Sequence, residues 1–288
     1  RYLDRAGIAS STATKKLIKG LNLAGEDEGY KLNNAAVLFF ANDPIGFIPS
    51  NRITCVRFSG TSKGSDIIDR KDLEGTLLEN VDSAIDFTRR NTRTAAKIIE
   101  FERVEKEEYP YEAIREAVLN AVMHRNYFLE DAPIHLNIFS DRIEIVSPGE
   151  LPDGVTLDNL GEISVPRNGI ITDLVLRTGL IDKLGTGIKR MKKMMREHGL
   201  EEPEFEEIDE VFKVTLYGPE EDILELIPEK KGEDLREKGL NERQIEVLRE
   251  MVNREREITN KEYRDRFDIS KATAYRDLKE LVEQGFIE

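Results

Sequence analysis

The hydrophobic positions along the chain change period several times, and each change marks an element. Apolar residues in "EAIREAVLNAVMH" (112–124) recur at helical spacing: Ile114, Ala117, Val118, Ala121 and Val122 share one side, which predicts a helix over 110–125 with Pro110 at its first turn. "PIHLNIF" (133–139) and "RIEIV" (142–146) alternate and predict two strands with a turn at 140–141. "NNAAVLFFAN" (33–42) and "NRITCVRFSG" (51–60) read as strands, and "RKDLEGTLLENVDSAIDFTRRNTR" (70–93) as one amphipathic helix. Helices are expected over 168–180, ended by Gly179, and over 185–200, entered through "GTG" and stopped by Gly199. "PEFEEI" and "VFKVTLYG" form a hairpin. Residues 219–239 are charged, with two prolines and weak periodicity, and read as a linker. The last 49 residues give three short helices. These elements predict an α+β fold, a mixed sheet covered by helices, with an N-terminal α/β region (1–105), a central domain (106–218), the linker (219–239) and a C-terminal helical unit (240–288).

Composition narrows the picture. The 288 residues carry a net charge of -14, which excludes a basic footprint over the whole molecule. Cys55 is the only cysteine, so intrachain disulfides and cysteine metal clusters are excluded, and a reducing cytoplasm is the expected setting. No apolar run reaches membrane-spanning length and no secretory signal pattern is present. The first residue is Arg, so the chain is expected to be a fragment of a longer protein.

The helix of 110–125 carries a polar edge, Glu116, Asn120 and His124, spaced by four. Asn lowers helix propensity because its side chain competes for backbone hydrogen bonds, so its presence in mid-helix hints at a site. A carboxylate there suits a general base for water attacking a phosphate, and an amide oxygen one turn along suits magnesium, which prefers hard oxygen ligands. Downstream, "SPG" (147–149) follows a strand, and Gly185, Thr186 and Gly187 enter a helix whose free N–H groups favour anions. Taken singly, each of these has a plain alternative: a solvated face or a simple turn.

In this order, the motifs resemble the GHKL (Bergerat-fold) ATPase superfamily of gyrase, heat-shock chaperones, MutL and histidine kinases. "EAIREAVLNAVMHRNY", "DRIEIVSPGELPDG", "SVPRN" and "LGTGIKRM" are more closely similar to the divergent GHKL-like domain of RecG-related proteins, also described as predicted transcriptional regulators, which usually follow a Schlafen-type AlbA-like domain. The resemblance implies ATP and Mg2+ as ligands, Glu116 as general base and Asn120 as magnesium ligand. It places His124, Arg125 and Tyr127 in an "HR-x-Y" continuation and Gly149 beneath the base. Gly185, Thr186 and Gly187 become the phosphate-side glycines, and Arg167 and Asn168 fall in the lid. Ser147 stands where the superfamily has an Asp that accepts from the adenine amino group. A hydroxyl does this weakly or through water, so a scaffold that binds no nucleotide stays open as the alternative, beside a weak ATPase. No Walker-type phosphate loop is present, which excludes a helicase motor.

"ITNKEYRDRFDISKATAYRDLKELVEQGFIE" resembles a winged helix-turn-helix. Ser270 caps the second helix, whose Lys271, Thr273, Tyr275 and Arg276 would meet DNA in a major groove, and "GFIE" would begin the wing. Residues 240–288 hold 10 Lys plus Arg against 12 Asp plus Glu, a poor balance for non-specific DNA affinity. A dimer reading two half-sites is therefore expected, and helix contacts to another protein are the alternative.

Overall fold

The computed structural model describes residues 2–9, 11–25, 31–99, 102–181, 185–219, 223–226, 239–254 and 257–287. Its elements follow in order. Helices α1 (Tyr2–Arg5), α2 (Thr14–Gly20) and α3 (Asn34–Phe40) precede strands β1 (Ile53–Phe58) and β2 (Ile67–Leu73), helix α4 (Leu77–Asn91) and strands β3 (Thr94–Ile99) and β4 (Glu102–Glu107). Then come α5 (Tyr111–His124), β5 (Ile134–Ile138), β6 (Arg142–Pro148), α6 (Gly169–Arg177), α7 (Gly187–His198), β7 (Glu204–Ile208) and β8 (Val211–Tyr217). The last three helices are α8 (Glu242–Arg254), α9 (Asn260–Phe267) and α10 (Lys271–Glu283). The chain forms two compact units: residues 1–93 with 107–221, and residues 94–106 with 222–288.

The first unit is built on a six-stranded mixed sheet in the order β2-β1-β5-β6-β8-β7. Every neighbouring pair is antiparallel except β1 and β5, which run parallel with Cys55 opposite Leu136. Alternation decides the faces. Ile53, Cys55, Ile134, Leu136, Ile138, Ile143, Ile145 and Leu216 are buried on one side, where α4 and α5 pack. Burial pushes the Cys55 thiol up to about 12, so this cysteine is a small core residue rather than a reactive one. The expected regions 1–105 and 106–218 therefore share one sheet. β1 finds its partner β5 about eighty residues later, a pairing no local pattern encodes.

Three assignments change. Residues 33–42 hold helix α3, not a strand. The Asn33 side chain accepts from Ala36 N at 3.0 Å and caps the helix, and Tyr2 meets Phe39 and Phe40 edge-on. A short apolar run is ambiguous by period alone. The expected single helix of 70–93 is two elements. Arg70 to Leu73 close β2, and a Thr76–Glu79 capping box starts α4 afresh. Strands β3 and β4 form a separate two-stranded sheet that the pattern reading did not anticipate.

In the second unit α8, α9 and α10 pack as a helix-turn-helix. Leu240, Ile245, Leu248 and Leu281 form one buried cluster, joined by Leu278, Phe286 and Ile287. Ser270 caps α10 by accepting from Thr273 N at 3.1 Å, and Asp268 makes the left-handed turn after α9 at φ 48°. Phe286 and Ile287 pack on the helices, and no strand is assigned there among the described residues. Of the expected linker, 223–226 is a short 3-10 helix, and 220–222 and 227–238 lie outside the described residues.

Candidate functional site

Seven of the eleven pocket residues expected from sequence line one cavity that opens to solvent. Glu116, Asn120 and His124 come from α5, Ser147 and Gly149 from the end of β6, and Gly185 and Gly187 from the entry to α7. The rest of the wall is largely apolar, with Ile145, Leu151, Ile163, Phe212 and Val214 among it. This balance of apolar wall and few polar groups matches a small-molecule site.

Each edge of the cavity has a local cause. Gly149 has φ 119°, and a Cβ there would lie 3.0 Å from Asn126 Cβ and 3.1 Å from Asn126 N. That close approach lets Asn126 N donate to Pro148 O at 2.8 Å, which ties the loop after α5 to β6. Gly187 is needed for a different reason. A Cβ there would collide with Glu116 Oε1 and lie 3.4 Å from Asn120 Nδ2, so α7 can start directly against the polar edge of α5. Glu116 is only 5% exposed, and Arg190, one turn into α7, stands 4.0 Å from its Oε2. Ser147 donates its hydroxyl proton to Ala121 O at 3.0 Å, which leaves the Ser147 oxygen as an acceptor. Among the described lining residues the charged side chains are Glu116 and Glu150, with no lysine or arginine.

The other four expected residues sit beside the cavity rather than in its wall. Asn168 donates to the carbonyls of Met123 and Arg125 at 2.9 and 2.8 Å and so satisfies the end of α5. Arg167 donates to Glu150 O at 2.6 Å and ties the segment before α6 to the end of β6. Thr186 is the residue before α7. Arg125 is 1% exposed, and its guanidinium donates to Leu129 O at 2.9 Å and faces the Tyr127 ring. Burial lowers its pKa, and Nε and Nη1 find no hydrogen-bond partner among the described residues. Tyr127 in turn donates to Val122 O at 3.0 Å and folds back onto α5, so of the "HR-x-Y" run His124 alone lines the cavity among the described residues.

Burial, and then the nearby Arg167, lower the pKa of His124 below its ordinary value, so the imidazole in the wall is neutral at pH 7. His135 is lowered as well, by burial first. The unfolded chain then binds more protons than the folded one as pH falls through about 6.5, so stability falls with acidification. Melting temperature should drop between pH 7.5 and 5.5, and His124→Gln should flatten that slope. A melting curve unchanged over this range would contradict it.

On α10, Lys271, Ala272, Tyr275, Arg276 and Lys279 form an exposed face, with Tyr275 63% exposed. Ser270 and Thr273 are instead engaged with each other at the cap. Arg243, Arg264, Arg266 and Lys279 are ion-paired with Asp277, Asp265, Glu246 and Glu283. Lys271 and Arg276 have no acidic partner among the described residues. Ala272 and Lys279 were legible from helical spacing along α10 but were not picked out. The unit's slightly acidic balance thus conceals positive charge on the exposed face of α10.

Residues 131–216 match the family model described as "Putative ATP-dependent DNA helicase recG C-terminal", and residues 243–288 match the "DeoR-like helix-turn-helix domain". The first match begins after α5, so it covers Ser147, Gly149 and the α7 glycines but not Glu116, Asn120 or His124. No curated protein matches the chain. A similar solved structure is the DIP2311 protein of Corynebacterium diphtheriae, with TM-score 0.65 and 24% identity over 96% of this chain and 55% of that one. This chain thus spans about half the length of that relative, and the likeness concerns the fold. The chain carries a RecG C-terminal-like domain followed by a DeoR-like helix-turn-helix. Among the described residues no helix is long and apolar enough to cross a membrane.

Proposed function

We propose that this chain is a DNA-binding regulator whose cavity between α5, β6 and α7 takes an adenine nucleotide with magnesium. Convergence carries the reading: seven residues from three separate segments meet around one solvent-open cavity. The apolar wall suits a base, and the Ser147 oxygen, its own proton committed to Ala121 O, is an acceptor for an exocyclic amino group. Asn120 offers a hard amide oxygen, which fits magnesium completed by water and phosphate oxygens. The metal would supply positive charge to the phosphates, which the described wall does not. Calorimetric titration with ATP and magnesium is expected to show binding. Asn120→Ala should weaken it at least tenfold and Ser147→Ala several-fold. No heat with wild type would remove the nucleotide reading and favour a scaffold. A weak ATPase with Glu116 as base is a second reading, supported by the burial of that carboxylate beside Asn120. It requires phosphate release that Glu116→Ala abolishes.

DNA would be read by α10 in the major groove, with two copies of the chain on two half-sites. Arg276 and Lys271 are the free cations of that face. Arg276→Ala should cost about 1–3 kcal/mol on a selected site if Arg276 reads a base edge. An equal loss on selected and random DNA would instead make it a phosphate contact.

A further inference from the structure

Glu116 occupies an unusual place for a base awaiting its substrate. Its carboxylate lies against Gly187, the first residue of α7, near enough that a Cβ there would collide with Oε1 and sit 3.0 Å from Cδ. The first turn of a helix presents unbonded N–H groups and the positive end of its dipole, and α7 has twelve residues. Arg190, on the same helix, stands 4.0 Å from Oε2. A buried carboxyl side chain of the protein's own is therefore seated at the start of α7, in the wall of the cavity. The remaining charge on the described wall, Glu150, is also negative.

We infer that Glu116 is a built-in anion at the start of α7 that competes with a ligand's terminal phosphates and so selects for ligands carrying few of them unless a cation accompanies the charge. The inference rests on the reading of the cavity as an adenine-nucleotide site, and concerns which nucleotide that site prefers. Adenosine and its monophosphate place their bulk against Ile145, Phe212 and Val214 and leave Glu116 seated. A triphosphate brings about four negative charges toward it, and like charges at close range in a partly desolvated site repel strongly. Magnesium offsets that repulsion, so dependence on the cation becomes a property of this one side chain. The general-base reading makes a different demand. There the carboxylate helps the triphosphate complex, and its removal affects turnover without improving affinity.

The test uses adenosine, ATP and inorganic tripolyphosphate in magnesium-free buffer with EDTA, titrated into wild type and Glu116→Gln. The amide keeps the shape and removes the charge, and a melting curve checks that each variant is folded. The ratio of ATP to adenosine affinity should rise at least tenfold in Glu116→Gln, and tripolyphosphate should bind the variant at least tenfold more tightly than wild type. Adding Arg190→Gln to that variant should reverse most of the gain. An unchanged ratio, equal tripolyphosphate affinity in both proteins, or no tripolyphosphate binding to either would overturn the inference. Absence of adenosine binding to both proteins would instead strike at the nucleotide site itself, and the tripolyphosphate arm would still decide the role of Glu116.

Discussion

Asp277→Ala is expected to loosen the whole helix-turn-helix and abolish DNA binding, although Asp277 faces away from the exposed side of α10. The carboxylate is 3% exposed and accepts from Arg243 Nε and Nη2 at 3.0 and 2.7 Å and from the Tyr263 hydroxyl at 3.2 Å. Gln244 Nε2 donates to its backbone carbonyl at 2.9 Å, so one residue ties α8, α9 and α10 together. Burial and the adjacent carboxylate both raise the Tyr263 pKa, which keeps that hydroxyl a donor. Breaking a buried ion pair typically costs about 3–5 kcal/mol. Arg243 is partly exposed and can re-solvate, which places the loss toward the lower end, roughly 2–4 kcal/mol. A thermal melt should show an early transition absent from wild type. Asp277→Asn, which keeps the volume and one acceptor, should fall between. A wild-type melt for Asp277→Ala would show that the apolar clusters alone hold the unit.

Gly149→Ala is the corresponding test of the cavity. The φ of 119° is a region essentially restricted to glycine, and the new methyl would press on Asn126. Neither side can move cheaply, because Gly149 N donates to Glu210 O at 2.7 Å and Asn126 N to Pro148 O at 2.8 Å. Strain and contact together should cost about 2–3 kcal/mol by urea unfolding, and ligand affinity should fall more than tenfold as the turn shifts. Gly154→Ala provides the contrast. Its φ is also positive, at 84°, but nothing stands within 4 Å of the added carbon. It should cost about 1 kcal/mol and leave affinity within twofold. Equal effects of the two substitutions would mean that the Asn126 contact does not shape the cavity.

These effects also show why some of the molecule was readable in advance. Helix α5 was legible because one face is apolar at strict helical spacing and the other carries an Asn that propensity disfavours. Gly199, at φ 91° after α7, and Ser270, before α10, marked their helix ends because each answers a local backbone need. Residues 33–42 were misleading because their seven consecutive apolar positions fit either period, and the Asn33 cap decides for a helix. Strands β3 and β4 escaped notice because "TAAKII" and "ERVEKE" lack the alternation of a half-buried strand. Of the pocket residues, the glycines and the α5 edge have backbone reasons for being where they are. Arg125, Arg167 and Asn168 owe their positions to which carbonyl their side chains reach, a three-dimensional matter that spacing does not encode. The Glu116 carboxylate at the head of α7 belongs to the same class, since 71 residues separate it from Gly187.

The chain passes between its two units at 93/94, 106/107 and 221/222, so a ligand in the first has covalent routes to the second. We propose that ligand occupancy and DNA affinity are linked. This linkage is tested most directly by fluorescence anisotropy of a DNA site selected from a random pool, titrated at fixed salt with and without saturating ATP and magnesium. Linkage of about 1–3 kcal/mol predicts that the Kd for DNA changes at least fivefold, and that saturating DNA changes the Kd for ATP by the same factor. DNA affinity identical with and without ATP, under conditions where calorimetry shows the nucleotide bound, would contradict it.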